Sequence, residues 1–412
     1  MKRATFTLAL SAKLLTTLRV LVILVGWLAA PQSASAYPWM IRHEYTACQQ
    51  CHTDPSGGGV LTAYGRGLAS VEMVSRFTKA NPDGDDYGRE GDFLFGAVKL
   101  PEPVLAQVDY RSLALRTSSG GATDSRFVLM QMDAAVHLNL GNFRAQGSVG
   151  VLREGGGAAA QITRGDGDMQ LGSRTHWVGY DFKSPDETSS VLVRAGRMNL
   201  PFGIRSIEHT LWTRQLTRSD YNAAQQHGVA VAYNTYGWRA EGMFVLGNFQ
   251  VSPDKFRDRG FVGYAERAIS TRLAAGLSAQ VMHADRDVQD ASPTWRHAYG
   301  AFARYSPTVP WVISAEVDML ANTFRGKTNR TGITSFATAD YEPWKGLHFM
   351  ATGELAAPSF DTGTNVGAWG GVAWFFLPHV DIRGDYVYRS LGSASGARVS
   401  TNALLAQLHF YL

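Results

Sequence analysis

Five consecutive residues, Cys48-Gln49-Gln50-Cys51-His52, carry the most specific chemistry in the chain. Two thiols at this spacing can add to the two vinyl groups on one edge of a porphyrin. The next residue, His52, then lies beneath the iron and supplies the proximal nitrogen. We therefore expect one covalent haem c, with Cys48 and Cys51 as thioether residues and His52 as iron ligand. A redox thiol pair and a disulfide are the alternatives for the motif. The chain has only these two cysteines, so a wider disulfide scaffold is excluded.

The sixth iron ligand is open. Met and His are the usual choices, and their identity sets the potential. His43 is the first candidate, because it can fold back across the haem. Met40 and Met73 follow, and an open position that binds a small ligand is the remaining option. Asp54-Pro55-Ser56-Gly57-Gly58-Gly59 reads as a turn-forming loop. Leu61-Thr62-Ala63-Tyr64-Gly65-Arg66-Gly67 then leads into a helix expected to run through Phe77. Arg66 is a candidate partner for a haem propionate. Asn81 to Asp86 has the outline of a calcium loop, but the position that needs Gly holds Asp86, so a solvated acidic linker is expected.

The elements around this motif set its location. Residues 1–36 read as a secretory signal peptide: Lys2, Arg3, Lys13 and Arg19 with no acid, an apolar run from Val20 to Leu28, and Ala34-Ser35-Ala36 before Tyr37. A membrane anchor needs about 20 apolar residues, and this run is roughly half that. Removing the four basic residues takes Lys+Arg from 39 to 35, equal to the 35 acids. The high isoelectric point therefore belongs to the signal, and no nucleic-acid partner is implied. Residues 37–92 form the monohaem segment, too small for a self-sufficient core. It is expected to pack on something larger, the remainder at 93–412.

That remainder alternates apolar and polar residues in stretches of about ten residues. Trp311, Ile313, Ala315, Val317 and Met319 lie on one face of their stretch; Ser314, Glu316 and Asp318 lie on the other. Val380 to Arg389 repeats the pattern, with Asp381, Arg383, Asp385 and Arg389 on the polar face. Charges facing a wet lumen and apolar residues facing lipid are the outer-membrane solution. Sixteen strands are predicted, near 105–117, 126–140, 143–153, 174–183, 191–199, 226–234, 238–248, 259–267, 273–284, 295–306, 311–323, 331–343, 347–357, 366–377, 379–390 and 401–412. The fold class is all-β: a sixteen-stranded antiparallel transmembrane barrel after a short helical and loop haem segment. Most even-numbered strands end in tight turns, expected to face the periplasm; the longest connections, near 154–173 and 200–225, are expected to face outside. Trp177, Trp238, Trp311, Trp344 and Tyr305 are expected in interface girdles.

A CxxCH segment behind a signal peptide, followed by a sixteen-strand barrel, resembles the fused monohaem cytochrome–porins of the bacterial outer membrane. The stretch Leu61-Thr62-Ala63-Tyr64-Gly65-Arg66 resembles a post-haem motif of that family, and the C-terminal strand resembles a barrel assembly signal, with Leu412 where Phe or Trp is usual. The resemblance implies Fe(II) oxidase-type electron transfer and carries over Cys48, Cys51 and His52 as haem residues. Arg194-Ala195-Gly196-Arg197 through Gly203 resembles instead a strand end and loop of anion-selective porins. Three functions follow. The first is an electron conduit between an extracellular donor and a periplasmic carrier such as a soluble cytochrome, with outer-membrane lipid around it. The second is a porin for small anionic solutes, gated or sensed by the haem segment. The third and last is an enzyme using an open haem site. Asp133, His137, Arg144, Glu316, Asp381 and Arg383 are expected to line the lumen, and His209 is a weak candidate for external metal contact.

Overall fold

The computed structural model describes residues 38–75, 92–153, 169–186, 188–205, 210–221 and 224–412. The expected signal peptide, the expected acidic linker with its calcium-like outline, and His209 lie outside the described residues.

Every long alternating stretch becomes a strand: β1 (Val104–Ser119), β2 (Ala122–Leu140), β3 (Phe143–Arg153), β4 (Met169–Gly172), β5 (His176–Lys183), β6 (Ser189–Met198), β7 (Gln226–Thr235), β8 (Trp238–Gly247), β9 (Arg259–Ser270), β10 (Leu273–Ala284), β11 (Thr294–Tyr305), β12 (Trp311–Phe324), β13 (Arg330–Trp344), β14 (Leu347–Ala357), β15 (Asn365–Leu377), β16 (Val380–Gly392) and β17 (Arg398–Tyr411). Neighbours in sequence pair antiparallel. β1 also pairs with β17, from Asp109 opposite Tyr411 to Ser119 opposite Thr401, so the sheet closes on itself. Closure removes the unpaired edges that lipid cannot satisfy. β4 and β5 share one place in the ring. β3 pairs with β4 from Gly150 to Arg153 and with β5 from Phe143 to Gly147. Seventeen stretches thus give a sixteen-stranded barrel.

The pleat puts successive side chains on opposite faces, and here the polar face is the inner one. Along β12, Val312, Ser314, Glu316, Asp318 and Leu320 are buried, while Trp311, Ile313, Val317 and Met319 are exposed. A water-soluble protein reverses this arrangement. Large apolar side chains are exposed on strand after strand, among them Val178, Phe244, Phe261, Leu277, Tyr299 and Leu404. An outer surface of this kind is stable only against lipid. No helix among the described residues is long and apolar enough to cross a membrane.

One end of the barrel carries the tight turns, such as Gly141-Asn142, Tyr236-Gly237, Lys345-Gly346 and Pro378-His379. The other carries the longer connections, apart from the tight Gly120-Gly121 turn. β1 starts and β17 finishes at the turn end, as the strand parity predicts. Trp238, Tyr305, Trp311 and Trp344 are exposed near that end, and Trp311 packs on Tyr341 with ring centroids 4.6 Å apart. Trp177 departs from the girdle expectation. It is buried in the lumen, with the Arg194 guanidinium 5.3 Å from its ring and His137 5.5 Å away. His176, not Trp177, takes the outward place in that part of β5.

Replacing Val317, central and outward on β12, by Lys should cost about 2–4 kcal/mol of folding free energy in lipid. Reversible denaturant unfolding in vesicles measures this, and an unchanged midpoint would contradict the outward assignment.

Candidate functional site

The haem motif folds into a single helical turn. Cys51 N and His52 N both donate to Cys48 O, at 3.2 and 3.0 Å. The chain then loops out and returns. Gly57, Gly58 and Gly59 hold φ values of 102°, 87° and 70°, a left-handed run that only glycine takes without strain. The return brings Leu61 into an antiparallel bridge with His52, and Thr62 N donates to Cys51 O at 2.9 Å. Thr62 also caps α1 (Ala63–Glu72): its hydroxyl accepts from Gly65 N at 3.0 Å. Gly65 lies so close to the motif that a Cβ there would sit 2.3 Å from Cys51 O. Helix and motif are therefore packed backbone to backbone. α1 ends at Glu72, short of the Phe77 expected from the sequence: Met73 to Ser75 are not helical, and residues 76–91 lie outside the described residues.

This segment, residues 38–75, lies inside the barrel and crosses its bore. On one side Leu61 N donates to Gln107 Oε1 of β1 at 2.9 Å, and Thr53 Oγ1 to Gln146 Oε1 of β3 at 2.6 Å. On another, Arg304 of β11 donates to Thr46 O at 2.9 Å, and Arg239 of β8 donates to Cys48 Sγ. Arg42 is 1% exposed and pairs with both Asp340 and Glu342 of β13. Asp54 accepts from Arg194 Nη2 of β6 at 3.1 Å, and the same Nη2 reaches Glu241 Oε1 at 2.5 Å. Burial alone would raise the Asp54 carboxyl; Arg194 and then Arg205 outweigh it and hold it below the usual range. Near the turn end Ser75 N donates to Phe375 O at 2.9 Å. We call this segment the plug.

Between plug and wall lies a mostly apolar cavity with about 850 Å³ of atom-free space, partly open to solvent. Cys51 and His52 line it, and so do Met40, Met73, Leu61 and Leu68. His52 is half-buried, and loss of water around the ring pushes its pKa down to about 4, against the opposing pull of Gly59. The imidazole is therefore neutral at neutral pH, the form that binds iron. His52 also borders a second, polar space at the turn end, shared with Asn139, Arg144 and Asp181. On the loop side the connection after β6 roofs the cavity. Tyr221 OH accepts from Gly59 N at 2.7 Å, and Arg205 donates to Ser56 and stacks over Tyr221 at 5.6 Å.

These residues fit a c-type haem in most respects. A neutral His and a thiol stand on the edge of an apolar cavity, and neither cysteine is in a disulfide. Cys48 is the exception. Its sulfur accepts from Arg239 and does not line the cavity, so attachment there exchanges that hydrogen bond for a thioether. Of the sixth-ligand candidates, Met40 and Met73 line the cavity. His43 does not: its Nε2 lies 3.9 Å from Glu342, and burial lowers its pKa. Arg66 also turns away, donating to Ala106 O of β1 at 2.5 Å with its guanidinium 5.9 Å from Phe93.

The lumen residues named from sequence face inward with partners. Asp133 pairs with Arg174, Arg144 with Asp181, Glu316 with Arg214, Asp381 with His409 and Arg383 with Asp385. His137 contacts Asn139 at 3.0 Å. Sequence reasoning missed Arg111, His409, Arg205 and Tyr221 in the cavity wall. Strand parity alone places Arg111 with Asp109, and His409 with Gln407, on the inner face. Among the described residues no group of three or more His, Cys, Asp or Glu is arranged to hold a free metal ion.

No family model and no curated protein matches the chain. Solved structures do. A loop-deletion mutant of OmpT, an outer membrane protein of Vibrio cholerae, has TM-score 0.56 at 12% identity, covering 75% of this chain and 100% of that one. The outer membrane channel DcaP of Acinetobacter baumannii has TM-score 0.53 at 10% identity, with 75% and 97% covered. The anion-selective porin from Comamonas acidovorans has TM-score 0.52 at 11% identity, with 75% and 99% covered. At these identities the likeness is one of fold: the barrel has the architecture of outer-membrane porins.

Gly65→Ala should force α1 off the motif, a clash of the kind that costs about 1–3 kcal/mol. Amide exchange across His52–Thr62 should accelerate about tenfold or more, while the strands keep their protection.

Proposed function

We propose that this chain is a bacterial outer-membrane barrel that carries one haem c on its internal plug. Through it electrons pass between an extracellular donor and a periplasmic carrier. The observation that carries the reading is the shared cavity: Cys51 and His52 of an attachment motif face it, with two methionines in its walls. The signal peptide and the outward apolar face support the location, with the tight turns toward the periplasm.

When bound, a haem supplies one-electron chemistry. The chain supplies its surroundings. His52 offers a neutral nitrogen, and Met40 and Met73 are the thioethers placed to complete the iron. Leu61, Leu68 and Ala69 keep water from that face. A hydrocarbon core of about 30 Å is too far for one tunnelling step, so a redox centre within the bore shortens both legs. Toward the periplasm, His52 stands at the partition between the cavity and the turn-end space. Toward the outside, Arg205 and Tyr221 roof the cavity, so a donor works through that roof and not by direct contact. Fe(II) is the donor that the sequence resemblance favours, which makes the activity Fe(II) oxidase-type. A soluble cytochrome is the carrier it favours.

The second reading is a porin for small anionic solutes, with the plug as gate or redox sensor. The comparisons favour it, because the named likenesses are porins or channels. The polar turn-end space also suits solute passage. Against it, the plug is tied to opposite walls, and the Arg194 charge is taken by Asp54 and Glu241.

Protein purified with its native cofactor and sealed in liposomes separates the two. An impermeant ferrous chelate added outside should give the reduced c-type absorption band. Replacing both Cys48 and Cys51 by Ser should abolish covalent haem and leave the barrel folded. Haem that stays oxidised in liposomes that pass small anions at porin rates would end the conduit reading.

A further inference from the structure

Arg111 of β1 is the least satisfied cation in the cavity wall. It is 4% exposed, and only its Nη2 has a partner, His409 Nε2 at 3.4 Å. Its Nε and Nη1 are buried without a hydrogen-bond partner. Among the described residues no carboxylate lies within ion-pair distance of it. Asp109 and Asp133 act on it through space, but the nearby carboxylates make their hydrogen bonds elsewhere. Asp109 accepts from Gln107 Nε2 through both oxygens, Asp133 pairs with Arg174, and Asp381 holds His409 Nδ1 at 2.8 Å. Arg111, His409 and Asp381 face one another directly across three adjacent strands, β1, β17 and β16. The row fixes the guanidinium from behind and leaves its remaining donors unused. A guanidinium out of water with donors unused is unstable unless an anion completes it. The fork of an arginine matches a carboxylate in shape and charge.

We infer that Arg111 receives a carboxylate of the group bound in this cavity, which is a propionate if that group is haem. The inference rests on the haem reading and extends it. The covalent bonds tie the cofactor to the plug, and Arg111 ties its other edge to the barrel. The two-point hold makes the barrel wall part of the redox site. Arg66, the plug arginine that the motif suggests, does not line the cavity; it donates to Ala106 O and lies over Phe93.

The test uses the purified full-length holoprotein, with the folded barrel confirmed by heat-modifiable gel migration. Arg111→Leu removes the cation and leaves the thioether attachment intact. The midpoint potential should fall, because an uncompensated propionate favours the oxidised iron, and the propionate bending mode in the resonance Raman spectrum should shift. Arg111→Lys keeps the charge and should restore most of the potential while leaving the bending mode displaced. Arg66→Leu should leave the bending mode unchanged. A haem-loaded Arg111→Leu protein with unchanged potential and bending mode overturns the inference. So does a bending-mode shift on Arg66→Leu that is absent on Arg111→Leu. Wild-type protein without covalent haem fails the underlying reading, a result the haem absorbance shows before any variant is compared.

Discussion

The ionic seam between plug and wall is the interaction on which the rest of the structure depends. Lipid outside favours charged side chains on the inner face of the strands, and a bore lined only with its own charges would be wet and open. Here wall guanidiniums reach acceptors on the plug. Arg194 meets Asp54, Arg304 meets Thr46 O, and Arg239 meets Cys48. In return, plug Arg42 meets Asp340 and Glu342. Buried pairs of this kind are poor sources of net stability, because desolvation offsets attraction. Breaking one is costly, because it strands a charge. The seam therefore specifies where the plug sits more than it stabilises the fold. With the position set, the cavity between Cys51, His52 and the wall follows.

The barrel was legible from the sequence because its signal is repeated strand by strand. Alternation over ten residues states which side chains face lipid, and closure demands an even ring. The broken strand around Ser173 was not legible, since β4 and β5 occupy one place with an interruption between them. Trp177 was misplaced for a related reason: an aromatic near a strand end suggests an interface, and only register decides which face it takes. The motif was singled out by residue type and spacing, and the fold brings its Cys51 and His52 to one cavity. Its surroundings were not legible. His43 is near in sequence yet turns to Glu342, whereas Arg111 and His409 are distant in sequence and reach the cavity through pairing of the first and last strands. Contacts made by barrel closure leave no local trace in the chain.

The comparisons and the motif point at different parts of one molecule. The solved likenesses describe the wall, at 10–12% identity, and speak to fold. The plug is what sets this chain apart from an open channel. Its hold on β1, β3, β6, β8, β11 and β13 spans the bore, and its thiols and imidazole are chemistry that a simple pore does not need. A porin wall has here been furnished with an internal occupant. The unpaired donors of Arg111 suggest that wall and occupant meet in the same ligand.

The burial of the two thiols has a consequence for the order of biogenesis. Cys48 is 2% exposed and Cys51 5%, both inside a ring that closes where β1 meets β17. Once that seam has zipped, no enzyme can reach either sulfur. A group attached to either sulfur would have to be attached before the ring closes. Closure of the barrel would then fix that group in place, and a chain closed before attachment would keep its thiols out of reach.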